Sequence, residues 1–118
     1  MLTIRNAQMR ALRAHREADF RARLQALLCS GFSLEPEVAE AESEAAMTFC
    51  LDCGLTRECD IAGVATIVAD HLGGFRAGAI PPPGRYHLYQ PGASPDERLM
   101  NFAEWCRLHP RHAGASGL

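Results

Sequence analysis

In TRECDIAGVATIVADHLGG, residues 56–74, the apolar residues Ile61, Val64, Ala65, Val68 and Leu72 fall at i, i+3, i+4, i+7 and i+11. That spacing matches the helical period and predicts a helix with one core-facing stripe. Thr56 is the predicted N-cap, and Gly73-Gly74 supplies the stop.

Upstream, residues 36–53 read as a second helix. Pro36 suits the first turn, Glu37 and Glu40 favour its positive end, and Gly54 stands where a C-terminal cap belongs. Its predicted stripe is Val38, Ala41, Ala45 and Phe49. Before it, Thr3 is the predicted cap of a long first helix, in which Met9, Leu12, Phe20, Leu24, Leu27 and Leu28 recur at helical spacing until Ser30-Gly31.

Downstream, GAIPPPGRYHLYQPGASP, residues 78–95, is too rich in proline and glycine for a long regular element and is expected to hold at most one turn around residues 86–89. SPDE at 94–97 is a capping box, which starts a last helix over 95–108 with Leu99, Phe102, Ala103 and Cys106 inward. No strand-like alternation occurs. The fold class is therefore all-α, a compact antiparallel bundle of four main helices with a Pro-rich loop before the last helix. Residues 1–110 form one helical domain in this reading, and 111–118 a frayed tail.

With 118 residues, 47% of them hydrophobic and 22% charged, the chain can bury a core without disulfides or metal. No stretch approaches a membrane span, and the first residues lack a signal-peptide core, so a cytoplasmic protein is expected. The five cysteines are expected as free thiols there. All twelve basic residues are arginine, which points to coding bias more than to mechanism. Charge is segregated. Residues 1–31 carry six Arg against Glu17 and Asp19, whereas residues 35–60 carry eight acids against Arg57. The first two helices thus set an arginine-rich surface beside a glutamate-rich one, with only about 0.2–1 kcal/mol per exposed pair.

FCLDCGLTRECD, residues 49–60, holds Cys50, Cys53 and Cys59, and C-x2-C is a common half of a zinc site. His71 or His87 would have to complete it, and Cys59 falls on the face of its helix opposite the apolar stripe. Ordinary packing is the favoured reading, with no cofactor. A redox pair lacks a surrounding βαβ pattern. The arginines of the first helix are interrupted by acids and accompanied by no recognition motif, so nucleic acid is not the expected partner. No nucleophile elbow, zincin motif or phosphate loop is present, and Asp70-His71 with Asp60 reads as helix surface; an enzyme is not expected. The expected partner is a protein, met through Arg13, Arg16, Glu40, Glu44, Arg85, Tyr86, Tyr89 and Trp105. Tyrosine, tryptophan and arginine are the residue types that dominate binding hot spots.

Ile4, Arg5, Gln8, Met9, Ala11, Leu12 and Phe20 form one pattern, and Gly54, Leu55, Thr56, Asp60 and Gly73 a second. Together they resemble a loosely defined family of short bacterial proteins encoded beside type VI secretion spike proteins, PAAR-domain proteins and toxic effectors. The Pro-rich loop and tail are least alike, and the family pattern has no cysteines matching Cys50, Cys53 and Cys59. The resemblance implies an accessory role, either as adaptor or chaperone loading an effector onto the spike, or as an immunity protein blocking a co-encoded toxin. The alternative from the residues alone is a small zinc-binding module using Cys50, Cys53 and Cys59.

Overall fold

The structure is a computed structural model that describes the backbone of residues 2–109 and the side chains of residues 15–109. Five α-helices follow one another: α1 (Leu2–Phe32), α2 (Pro36–Cys53), α3 (Glu58–His71), α4 (Pro82–Tyr89) and α5 (Pro95–Leu108). A single 3-10 turn, Phe75–Ala77, lies between α3 and α4, and no strand occurs among the described residues. The described residues form an all-helical fold. The predicted tail at 111–118 and the side chain of Arg13 lie outside the described residues.

α3 buries Val64, Ala65 and Val68, with Leu72 buried just beyond its end and Ile61 half-buried, as its stripe requires. Its start differs from expectation. Arg57, not Thr56, is the N-cap, and no side chain caps the helix. Asp60 in the first turn is buried and accepts two bonds from the Arg57 guanidinium at 2.7 and 2.9 Å, so the local polar group is spent on a side chain rather than on backbone amides. Arg57 also reaches Asp96 at 3.0 Å, joining the starts of α3 and α5.

The predicted stripe of α2 is displaced by one residue. Ala39, Glu42, Ser43, Ala46, Cys50 and Cys53 are buried, whereas Ala41 is exposed and Val38, Ala45 and Phe49 are half-buried. Several alanines compete for the inward positions with almost no hydropathic contrast between them, so specific bonds decide which face turns inward. Glu42 accepts from the backbone amides of Phe75 and Arg76, which turns this face inward, while the Ser43 hydroxyl carried in with it is satisfied within α2 by the Ala39 carbonyl at 2.8 Å. Gly54 caps α2 as expected, with φ 80° and its N–H directed to the Cys50 and Leu51 carbonyls.

In α1, Phe20, Leu24 and Leu28 are buried, but Leu27 is exposed; the helix runs through Ser30-Gly31 to Phe32 before Ser33 adopts φ 56°. It begins at Leu2, so Thr3 stands inside it rather than ahead of it, and the side chains of Thr3, Met9 and Leu12 lie outside the described residues.

The largest departure is α4, an eight-residue helix where at most one turn is expected. Pro81 is its N-cap and Pro82 its first residue, positions that need no backbone N–H inside a helix. The Arg85 amide then donates to the Pro81 carbonyl at 3.0 Å. The prolines therefore start this helix instead of forbidding it.

α5 behaves as expected. Ser94 accepts the Glu97 amide at 3.1 Å, Phe102 and Cys106 are buried, and Leu99 and Ala103 are half-buried. One core cluster gathers Cys50, Leu55, Val68, Leu72, Leu88 and Phe102 among α2, α3, α4 and α5, and a second gathers Phe20, Leu24, Leu28, Ala39 and Ala46 between α1 and α2.

Candidate interaction surface

α2 turns back along α1 after residues 33–35, which brings Arg21 Nε to 2.9 Å from Glu44 Oε1. The expected pairing of an arginine face with a glutamate face is present there. It extends to α3, because Arg23 bonds both Asp19 at 3.1 Å and Glu58 at 3.2 Å. These pairs are exposed and orient the helices more than they stabilise them.

Beside the Arg21–Glu44 pair lies an open groove of about 470 Å³ between α1, α2 and the start of α3. Phe20, Met47, Leu51, Leu55 and Ile61 line it, with Arg16, Glu17, Glu44 and Glu58 at its edge. Leu51 is 74% exposed, an apolar side chain left in water. On the other flank of α2 a second groove, of about 650 Å³, is lined by Phe49, Phe75, Ile80, Glu44, Asp52 and Arg85.

The aromatic floor of the second groove is built by tertiary contact. The Phe49 ring lies 5.9 Å from Phe75 and 5.8 Å from Tyr89. The Tyr89 hydroxyl donates to the Asp52 carboxylate. That bond, with some burial, pushes the Tyr89 phenol up to about 12.

Of the candidate partner-binding residues, Arg16 and Glu44 meet at the first groove, and Arg85 and Glu44 at the second with Tyr89 close by. Glu40 is exposed on α2 and has no ion pair among the described residues. Tyr86, 61% exposed, stands on α4 beside His87. Trp105 is only half-buried; it covers Gly84 of α4 and stacks on His109 at 4.9 Å. That Leu51, Asp52, Phe49 and Phe75 line grooves is not legible in the sequence, since the grooves form only when the turn at Phe75 and the start of α3 are placed beside α2.

The cysteines do not form one constellation. Cys50 and Cys53 belong to the core, with the Cys53 thiol donating to the Cys50 carbonyl at 3.6 Å, whereas Cys59 is exposed. His71 lies at the far end of α3, 3.4 Å from Asp70. Among the described residues, no group of three or more His, Cys, Asp or Glu is placed to hold a metal ion. Asp60, held by Arg57, stands in the first turn of α3 and His71 in its last, so the length of the helix separates them and they form no dyad.

Comparison with family models, with curated proteins and with solved structures finds no significant match. No helix among the described residues is long and apolar enough to cross a membrane.

Proposed function

We propose that this chain is a non-enzymatic interaction protein of the cytoplasm, an accessory of type VI secretion that binds an effector or spike component as adaptor or chaperone. The observation that carries the interaction reading is the pair of apolar grooves flanking the acidic outer face of α2. Apolar hollows edged by arginine, tyrosine and carboxylates are suited to a protein segment with apolar anchors and polar flanks. The secretion context rests on the two sequence patterns around Ile4–Phe20 and Gly54–Gly73.

The same reading takes α1, α2, α3 and α5 as an antiparallel bundle of four main helices, with α4 as a short buttress on α5. Short connections between successive helices support it.

The test is affinity purification of the tagged chain from its native host at moderate salt, followed by mass spectrometry of what remains bound. Recovery of a spike protein or a co-encoded effector is expected. Substitution of Tyr86 and Tyr89 by alanine, or added salt, should reduce that recovery. Recovery unchanged by both would refute the surface assignment. If the bound effector has lost its toxicity, the immunity role replaces the adaptor role. Stoichiometric zinc in a partner-free preparation would favour the small zinc-binding module instead.

A further inference from the structure

α1 has 31 residues and α2 has 18. Because α2 turns back along α1 from residues 33–35, α1 outruns it by 13 residues, or about 20 Å at the helical rise of ~1.5 Å per residue. On the α1 side the first groove is lined by Arg16, Glu17, Phe20 and Arg21, next in sequence to this stretch.

The sequence of the overrunning stretch is distinctive. Residues 2–14 carry Arg5, Arg10 and Arg13 with no acid, together with Leu2, Ile4, Met9 and Leu12. α2 is its electrostatic opposite, with five acids and no basic residue. Glu37, Glu40, Glu44 and Asp52 are exposed on α2, and Glu37 and Glu40 have no ion pair among the described residues. A basic segment with apolar residues thus belongs to the same chain as an apolar groove beside an acidic helix.

They cannot meet within one molecule. α1 is continuous from Leu2 to Phe32, and a continuous helix cannot double back onto a groove formed by its own residues 16–21. Between two molecules they can, since a two-fold axis near the middle of α1 sets residues 2–14 of each copy beside residues 16–21 of the other. Such an interface is isologous and closes after two subunits.

We infer that two copies of this chain pair through α1, with residues 2–14 of each lying over the groove lined by Phe20, Met47, Leu51, Leu55 and Ile61 of the other. Charge opposition between Arg5, Arg10 and Arg13 and the exposed Glu37 and Glu40 of α2 favours this occupant, since Glu44 and Glu58 at the groove are already paired with Arg21 and Arg23. The pairing does not rest on the proposed secretion role. It leaves the second groove, with Arg85 and Asp52, open to a different partner.

The test is sedimentation equilibrium of the full chain from low micromolar to hundreds of micromolar, at low and high salt. A dimer that weakens with salt is expected. Leu51→Arg places a charge at an already exposed position, so folding is retained while the groove is blocked; dimer dissociation should rise by at least about tenfold. The triple variant Arg5→Glu, Arg10→Glu, Arg13→Glu should do the same. Mixing the two variants should recover a heterodimer through the one intact contact, the Leu51→Arg copy supplying the arm and the triple variant the groove. Circular dichroism checks that both variants keep their helices. A monomer throughout the concentration range overturns the inference and leaves the groove to another protein. A dimer that survives Leu51→Arg unchanged overturns it as well, because the copies then meet elsewhere.

Discussion

Glu42 of α2 accepts the backbone N–H of Phe75 at 2.6 Å, and with its other oxygen the N–H of Arg76 at 2.9 Å. A carboxylate only 4% exposed thus serves as the cap of the 3-10 turn between α3 and α4. Removing it leaves two amides without acceptors. Glu42→Ala should destabilise the fold by about 2–3 kcal/mol, and Glu42→Gln, which keeps one acceptor, by less. Gly74→Ala should also destabilise, since its φ is 90° and an added Cβ would stand 2.7 Å from Glu42 Oε1. Urea unfolding measures all three. An unchanged midpoint for Glu42→Ala would show that the carboxylate does not hold this turn.

Gly84 and Trp105 define how closely α4 approaches α5. A Cβ on Gly84 would lie 2.7 Å from Trp105 Cε3 and Cζ3, inside the face of a ring that cannot bend away. Gly84→Ala should therefore cost about 1–3 kcal/mol and alter the emission of Trp105, the single tryptophan. Gly63→Ala is the comparison. Its Cβ meets only the Leu99 side chain, whose methyl end can rotate, so a smaller loss is expected. Equal losses at the two sites would mean that the α4–α5 contact adjusts as readily as a leucine rotamer.

The stripe of α3 is legible in the sequence because Ile61, Val64, Ala65 and Val68 share one face and Cys59, Gly63, Thr66 and Asp70 the opposite one; the buried Asp60, held by Arg57, is the inward position that the pattern does not reveal. The face of α2 is not, because Ala39 and Ala46 are buried while Ala41 is exposed, and the inward Glu42 is explained only by amides 33 and 34 residues away. α4 is hidden for a local reason: prolines at its cap and first turn resemble a helix breaker in sequence and act as a helix start in the fold. Charge segregation does predict a real contact, Arg21–Glu44. The grooves beside it depend on where Leu55 and Phe75 arrive, which no periodicity specifies.

The Tyr89–Asp52 bond makes a pH prediction. Proton loss from Tyr89 would place a phenolate against a carboxylate, so the folded-state value is raised to about 12 from an ordinary value of about 10. The stabilising contribution of the neutral phenol is fully present below pH about 10 and is lost as pH rises through about 12. Absorbance at about 295 nm should show a high-pH step that Tyr89→Phe removes and Asp52→Asn shifts downward. A step unmoved by Asp52→Asn would mean that the bond does not persist in solution.

Thiol reactivity decides whether FCLDCGLTRECD acts as one site or as two unrelated places. Cys59 is exposed, Cys29 is half-buried, and Cys50, Cys53 and Cys106 are enclosed in the core. The Cys50 thiol is pushed up by its hydrogen bond with Cys53 and by burial, so its reactive thiolate is scarce. A thiol reagent should modify Cys59 first and Cys29 next. The three core cysteines should react at least about a thousandfold more slowly, because access requires opening a fold with stability of ~5 kcal/mol or more. Cys59→Ser should remove the fast phase, and denaturant should expose all remaining thiols. Added zinc should protect none of the three in the stretch. If zinc instead slowed Cys59 and protected it together with Cys50 and Cys53, the last turn of α2 would have to unwind to bring the thiols together, and metal binding would replace packing as the reason for their spacing.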